Sequence, residues 1–328
     1  MNGKRRLKMK QLTRLFIPIC LETLFYMLSG MVDTLMLSAV GDYAVGAVGT
    51  ANSYIGIFII MFSIISSGMV SVMTQNIGAG RPGVAYQARQ LGLLFNAVAG
   101  VLMAVFLFSG AGAILRMVGI ADALYEPALI YLKIVGGGCI LNAVIPIFSS
   151  YLRAFGYTKQ PLYATIVGNI ANFVMNAVFL FVLHKGVAGV ATATVISKIL
   201  NLCIVLYFSH KLISAKNSTE RIANKTVLGQ IVKVGLPSAC ETALYNVAMM
   251  LVIRFLNQMD AEGLNVTARS YTATISNFSY CVGAALAQAN AIMTGWHIGA
   301  GELEECDRGT KRAAFVGVCV AVLSLIHI

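Results

Sequence analysis

Residues 73–80 read MTQNIGAG and residues 293–301 read MTGWHIGAG, so the same Met-Thr and Ile-Gly-Ala-Gly elements occur twice in the chain. A second set shows nearly the same separation, each residue lying 219 positions before its counterpart: Pro18, Glu22 and Tyr26, then Pro237, Glu241 and Tyr245. The small difference between the two separations is what a short loop insertion produces. In a very apolar chain, a repeat of this length indicates duplicated bundles of membrane helices, with the working site where the bundles meet.

The composition is that of a membrane protein. Hydrophobic residues make up 58% of the chain and charged residues only 11%, whereas soluble domains carry about a quarter charged residues. The net charge of +11 does not indicate a nucleic-acid partner, because the basic residues lie in the gaps between apolar runs. The seven cysteines form no C-x-x-C pair, and six of them lie inside apolar runs. We therefore expect no metal centre, no disulfide framework and no cofactor.

Nine apolar runs are long enough to cross the hydrocarbon core, which takes about 20 residues. They are 15–39, 51–75, 90–113, 127–151, 161–183, 187–209, 230–256, 269–293 and 312–328. The first run is too long for the apolar part of a signal peptide and has no clear cleavage site, so it is predicted to be the first span. The sequence thus predicts an all-α integral membrane protein.

Lys and Arg are distributed unequally between alternate gaps. The N-terminus and the even-numbered gaps hold 18 of them, and the odd-numbered gaps hold 4. This bias places the N-terminus and the even-numbered loops in the cytoplasm. Spans 1 and 7 then begin on the same side of the membrane, so the two halves are parallel repeats related by an axis along the membrane normal.

These observations predict four segments. Residues 1–14 form a basic cytoplasmic N-terminus, 15–209 an N-lobe of six spans, 210–229 a cytoplasmic linker, and 230–328 a partial C-lobe with spans 7–9. The second half stops within its third span, which we interpret as a truncation of a longer duplicated protein.

Asp33 is the most informative single residue. It lies inside span 1 with apolar residues on both sides, and its repeat counterpart is Val252, so it breaks the symmetry. An ionisable side chain inside the membrane costs roughly 2.5–3.5 kcal/mol on insertion scales, and such residues usually mark ion pathways. We expect Asp33 to bind a cation or to carry a proton. The alternative is a structural carboxylate held by hydroxyl or amide neighbours.

A carboxylate that holds Na⁺ needs further oxygen ligands, as other hard cations do. Span 5 offers Asn169, Asn172 and Asn176, the last two one helical turn apart on one face. Span 6 offers Thr192 and Thr194. Such side chains also hold membrane helices together, so their pattern alone left a structural role open.

Other polar groups are candidates for the substrate cleft. Glu22 and Glu241 lie one turn after a proline near the start of spans 1 and 7, where negative charge also suits the helix dipole. Tyr26 and Tyr245 follow them by one turn. Lys133 and Lys198 also fall within spans, and snorkelling toward the membrane surface is favoured over lining a cavity.

Enzyme signatures are absent from the sequence. There is no H-E-x-x-H zinc motif, no P-loop and no G-x-S-x-G elbow. The repeated Gly-Ala-Gly elements are predicted to end helices as C-caps rather than to bind phosphate. A membrane-embedded enzyme is therefore disfavoured.

In the order and spacing of several short elements the chain resembles a multidrug and toxic compound extrusion (MATE) transporter, over nearly its whole length. The elements are Pro18 through Val32-Asp33-Thr34, residues 75–80 (QNIGAG), 153–156 (RAFG), Asn169 to Asn176, 186–189 (GVAG), Ala193-Thr194, 235–237 (GLP) and 298–301 (IGAG).

The resemblance implies a two-lobe helical bundle of twelve spans, of which about nine are present, with a central cleft. It implies antiport, in which drugs or organic cations leave the cell as Na⁺ or H⁺ enters, across a bacterial-type inner (plasma) membrane. It places the cation site at Asp33, Asn172, Asn176 and Thr194. Many relatives carry Asp where this chain has Asn176, which leaves the coupling ion open. We expect a monomer in the lipid bilayer. The alternative is a flippase for lipid-linked oligosaccharide or another amphiphile, which the small number of Lys and Arg within the spans disfavours.

Overall fold

A computed structural model describes residues 2–117, 120, 122–213, 220–259 and 264–326. These residues form ten α-helices, and no strand occurs among them. The helices are α1 (Asn2–Ser38), α2 (Asp42–Gly78), α3 (Pro82–Met117), α4 (Asp122–Gly137), α5 (Cys139–Ala154), α6 (Lys159–Ala177), α7 (Gly186–Leu212), α8 (Asn224–Met259), α9 (Leu264–Gly299) and α10 (Leu303–Ile326). A π-helical turn at Val178–Val182 extends α6.

The all-α membrane architecture expected from the sequence is confirmed. Among the described residues, four helical segments are long and apolar enough to cross a membrane: Gln11–Ser38, Pro82–Met117, Lys159–Val182 and Gly186–Leu212. The pair α4 and α5 makes a fifth when it is counted as one bent span. The remaining long helices, α2, α8, α9 and α10, coincide in position with predicted spans 2, 7, 8 and 9.

The fourth predicted span, 127–151, differs from the prediction because it is not one continuous helix. The chain breaks at Gly138, and the two halves are bent by 41°. Three consecutive glycines, Gly136 to Gly138, occupy the break. Glycine is a poor helix former and is a common cause of sharp kinks, so the local sequence accounts for the bend. The length of the apolar run predicted the span but not the break within it.

The repeated Ile-Gly-Ala-Gly elements end helices, as predicted. Gly80 and Gly301 have φ values of 73° and 76°, a conformation that favours glycine. The two turns also share their hydrogen bonds, since the Arg81 amide donates to the Asn76 carbonyl at 2.8 Å and the Glu302 amide donates to the His297 carbonyl at 2.8 Å. Both motifs are therefore C-caps of α2 and α9.

Ile222, just before α8, is hydrogen-bonded to α3. The Gln87 side-chain amide donates to the Ile222 carbonyl at 2.7 Å, and the Ile222 amide donates back to Gln87 at 3.2 Å. Residues 214–219 of the predicted linker lie outside the described residues, and the division into lobes stays a prediction.

Glycines bring α2 very close to α8 and α9. A β-carbon added at Gly235 on α8 would overlap the Ile64 carbonyl of α2, and one at Gly68 would overlap the Ile231 carbonyl of α8. On α9, a β-carbon at Gly299 would overlap the Gln75 carbonyl of α2. Small residues of this kind let membrane helices pack backbone to backbone. These contacts join predicted span 2 directly to predicted spans 7 and 8.

Candidate functional site

Asp33 on α1 meets two asparagines of α6. The Asn176 amide donates to the Asp33 carboxylate at 2.7 Å and to the Asn172 side-chain oxygen at 3.2 Å. Both asparagines are buried, Asn176 completely, while Asp33 is partly exposed. The residues that the sequence singled out on two separate helices thus form one continuous polar group, which we call the Asp33 network.

The Asp33 network holds an unused acceptor. The Asn176 side-chain oxygen is buried and has no hydrogen-bond partner among the described residues. A buried polar atom without a hydrogen-bond partner lowers stability by about 1–3 kcal/mol, so such an atom in a native protein often has a functional role. It lies on the same side chain that donates to Asp33. Carboxylate and amide oxygens brought together in this way suit a small cation or a proton donor.

Tyr131 on α4 brings residues of α2 and α7 near the Asp33 network. The Thr194 hydroxyl donates to the Val190 carbonyl of its own helix at 2.9 Å. Tyr131 on α4 is 5% exposed, and its hydroxyl interacts with the side chains of Thr194 and Asn52 and with the Asp33 charge. Sequence reasoning missed Tyr131 and Asn52, because a lone Tyr or Asn in an apolar run resembles an ordinary packing residue.

Asn169 has a different environment. Its side-chain amide donates to the Phe25 carbonyl of α1 at 2.8 Å. This bond joins α6 to α1 two turns before Asn176, and it satisfies a backbone carbonyl rather than the Asp33 carboxylate. In this structure Asn169 contacts the first helix without joining the Asp33 network.

Glu22 lies in an ion pair at the junction of α1, α5 and α9. Arg153, near the end of α5, donates to the Glu22 carboxylate at 2.5 Å and to the Gln288 side-chain oxygen of α9 at 3.2 Å. Both charged side chains are largely buried. Next to them, the Trp296 indole of α9 donates to the Ala154 carbonyl at 2.9 Å. Arg153 and Trp296 thus link α5 to α9 across the boundary between the two repeats.

Removing Arg153 should destabilise the protein strongly. The Arg153→Ala variant leaves Glu22 buried without its partner, and breaking a buried pair costs about 3–5 kcal/mol. We expect a clearly lower melting temperature in detergent. The matched control is Arg308→Ala, which breaks an exposed pair with Glu304 on α10 and should cost about 0–1 kcal/mol. Equal shifts for the two variants would contradict the buried linkage.

The other residues predicted for the substrate cleft have exposed side chains. Tyr26 is 66% exposed and Tyr245 is 60% exposed, and Glu241 is also exposed on α8. Within the described residues, neither Glu241 nor Tyr245 joins the Asp33 network. The structure therefore groups Asp33, Asn172 and Asn176 closely and places Thr194 beside them. Glu241 and Tyr245 lie apart from this group, whereas Tyr26 interacts with Tyr131.

A separate cavity of about 450 Å³ lies between α1, α9 and α10. Its lining is mostly apolar and includes Phe16, Leu286, Met293 and Val316, with Asn290 and Arg312 among the polar residues. None of the residues predicted for the cation site or the cleft lines it. The Asp33 network and this cavity are thus different parts of the molecule.

Comparison with known proteins identifies the family. The MatE family model matches residues 18–178. The chain is 33% identical over 319 residues to the uncharacterized transporter YisQ of Bacillus subtilis (strain 168), an alignment that covers 94% of this chain and 70% of YisQ. It is 24% identical over 282 residues to the probable multidrug resistance protein NorM of Thermotoga maritima, covering 80% of this chain and 59% of NorM.

The fold agrees with solved structures. A multidrug resistance MATE family transporter of the MOP superfamily, solved in an outward-facing conformation, superimposes with a TM-score of 0.87. The match covers 97% of this chain and 71% of that one, at 21% sequence identity. The sequence relatives and the shared fold agree with the resemblance noted in the motifs. The chain belongs to the MATE family of multi-pass membrane transporters.

Proposed function

We propose that the protein is a cation-coupled antiporter that exports organic cations or drugs as Na⁺ or H⁺ enters. The observation that carries this proposal is the Asp33 carboxylate, held within a membrane-spanning helix by Asn176 at 2.7 Å beside an unused amide oxygen. An intramembrane carboxylate with amide partners is suited to binding and releasing a cation. The relative NorM, described as a probable multidrug resistance protein, supports the substrate class.

The Asp33 network offers a way to couple ion binding to movement. A cation or proton on Asp33 removes the cost of holding its negative charge in the membrane. The hydrogen bond from Asn176 then loses most of its charge assistance, so α1 and α6 are free to repack. An ion shifts the equilibrium between the two conformations only to the extent that its affinities for them differ. Substrate and cation then compete through this shift.

The contacts between the repeats support a conformation that is closed to the cytoplasm. The charge bias of the loops predicts that the C-terminal ends of α2 and α9 lie on the cytoplasmic side. The close glycine contacts of α2 with α8 and α9, together with the Arg153 and Trp296 links, all lie toward those ends. On this orientation the described conformation is closed to the cytoplasm, as an exporter requires before it releases substrate outside.

The test is transport by the purified full chain in liposomes. A fluorescent organic cation trapped inside the liposomes should leave faster when a Na⁺ or H⁺ gradient directed into the liposomes is imposed than when no gradient is present. Gradient collapse by an ionophore should stop the additional flux. If wild-type protein gives no gradient-dependent flux for several organic cations, the antiporter proposal is wrong, and lipid-linked substrates become the next candidates.

A further inference from the structure

The cavity between α1, α9 and α10 has charged groups toward one end and an apolar interior. Its volume of about 450 Å³ lies in the range of about 300–1,000 Å³ that small-molecule sites occupy. In chain order, the α10 residues that line it include Glu305, Gly309, Arg312, Val316 and Val320. At about 1.5 Å per residue, these positions extend over roughly 20 Å of helix. The cavity is therefore long for its volume, which suits an extended ligand with one polar end.

The repeat shows how the equivalent place is built in the other half of the chain. Predicted spans 1, 8 and 9 border the cavity, and their counterparts are spans 7, 2 and 3, which are α8, α2 and α3. There Val227 and Ile231 of α8 are fully buried in one apolar cluster with Val84 and Ala88 of α3. Side chains of these helices fill the equivalent place. The repeat therefore does not reserve the cavity for a further helix.

Sequence differences between the repeats account for the cavity. Counting from the glycines that end the preceding helices, the corresponding residues of α3 and α10 are Val84 and Glu305, Ala88 and Gly309, and Leu91 and Arg312. On α1, Phe16 lies two residues before the repeated proline, where α8 has Gly235. The glycine lets α8 approach the backbone of α2 closely, whereas a phenylalanine at that position does not. A packed apolar contact in one half is thus replaced by a cavity with a charged wall in the other.

Arg312 is the group in this wall that most clearly points to a ligand. Glu305 has a basic neighbour, since Arg308 pairs with Glu304 at 2.9 Å and lies 3.8 Å from Glu305. Arg312 is partly buried, and it forms no ion pair or hydrogen bond with any residue that the structure describes. A guanidinium group can bind a phosphate through two parallel N–H groups. The cavity therefore combines an apolar interior with a cation that is suited to an anionic head group.

We propose that this cavity binds one anionic phospholipid of the cytoplasmic leaflet, with the phosphate at Arg312 and an acyl chain between Leu286, Val316 and Val320. The loop charges predict that α10 begins on the cytoplasmic side, and Arg312 is the first residue of predicted span 9. The basic segment 1–14 directly precedes the lining residues of α1, and such segments attract anionic lipids. The lipid fills the place that side chains fill in the other half. This role goes beyond the proposed antiport, because the lipid is bound rather than transported.

The test is native mass spectrometry of the purified full chain, titrated in detergent with phosphatidylglycerol. Wild type should retain one lipid, and Arg312→Gln should bind it at least about tenfold more weakly. The matched control is Lys311→Gln, which removes the same charge from an exposed residue paired with Asp307 outside the cavity, and it should bind as wild type does. Gly309→Leu keeps Arg312 but fills open space in the cavity, so it should also lose the lipid.

Three results would overturn the proposal: no phosphatidylglycerol retained by wild type, equal binding by Arg312→Gln and Lys311→Gln, or wild-type binding by folded Gly309→Leu. Gel filtration establishes folding, and the comparison of Arg312→Gln with Lys311→Gln decides if Gly309→Leu does not fold. Glycerol phosphate at the same concentration should not displace the lipid, and displacement would contradict a site for the acyl chain. A lipid-free dimer would assign the cavity to a second copy instead. No arm measures transport, so failure of the antiporter proposal leaves these outcomes unchanged.

Discussion

The Asp33→Asn variant should lose gradient-driven efflux and fall to the rate of protein-free liposomes. An amide has nearly the same shape as the carboxylate, but it carries no negative charge and gains no proton. The hydrogen bond from Asn176 has an acceptor in either case, so the fold should survive. Since the ion then has no differential affinity for the two conformations, its gradient does no work on the transporter. The measurement is initial efflux rate at equal protein content.

The control for this variant is Asp307→Asn. Asp307 is an exposed carboxylate on α10 that pairs with Lys311 at 2.7 Å. It should export at the wild-type rate, because an exposed ion pair contributes about 0–1 kcal/mol and lies outside the network. If Asp33→Asn also exports at the wild-type rate, Asp33 is a structural carboxylate and the site assignment is wrong.

Adding a single methyl group at Gly235 or Gly299 should also abolish efflux. The new β-carbon would overlap a backbone carbonyl of α2, that of Ile64 or Gln75 respectively. Backbone cannot move aside as a flexible side chain does, so α8 or α9 must separate from α2. Overpacking of this kind costs typically about 1–3 kcal/mol. We expect Gly235→Ala and Gly299→Ala to disfavour the described conformation and to stop transport.

The same helices supply matched controls. Gly229 on α8 and Gly283 on α9 have open space where a β-carbon would lie. Gly229→Ala and Gly283→Ala should therefore transport normally and should be slightly more stable, since alanine favours a helix over glycine by about 1 kcal/mol. Spin labels on α2 and α8 should report a longer distance in Gly235→Ala than in Gly229→Ala. Equal distances and equal transport would show that the close approach is not needed.

Periodicity and composition predicted the fold because each membrane-spanning helix must hydrogen-bond its own backbone polar groups and can contain few charged residues. Asp33 was recognisable because a carboxylate between apolar residues has a cost that demands an explanation. Asn172 and Asn176 were recognisable from their spacing. The prediction that these residues share a site is consistent with their hydrogen bonds. Their function stays a prediction until transport is measured.

Other parts of the site could not be predicted from the sequence. Tyr131 and Asn52 give no signal, because only the packing of α2 and α4 against α7 shows what their side chains meet. The pairing of Glu22 with Arg153 joins residues 131 positions apart. Lys198, which the sequence favoured as a snorkelling residue, donates to the Asn142 side chain 56 positions away. Long-range packing, which no local pattern encodes, decides each of these contacts.

The most direct test of coupling through Asp33 measures ion entry while substrate leaves. Liposomes containing the full chain are loaded with an organic cation and diluted into substrate-free buffer, with no ion gradient imposed. In wild type, we expect substrate efflux to drive uptake of Na⁺ or H⁺ in the opposite direction. In Asp33→Asn, we expect no such uptake. Substrate efflux without any ion entry in wild type, or equal ion entry in the two proteins, would contradict coupling through Asp33.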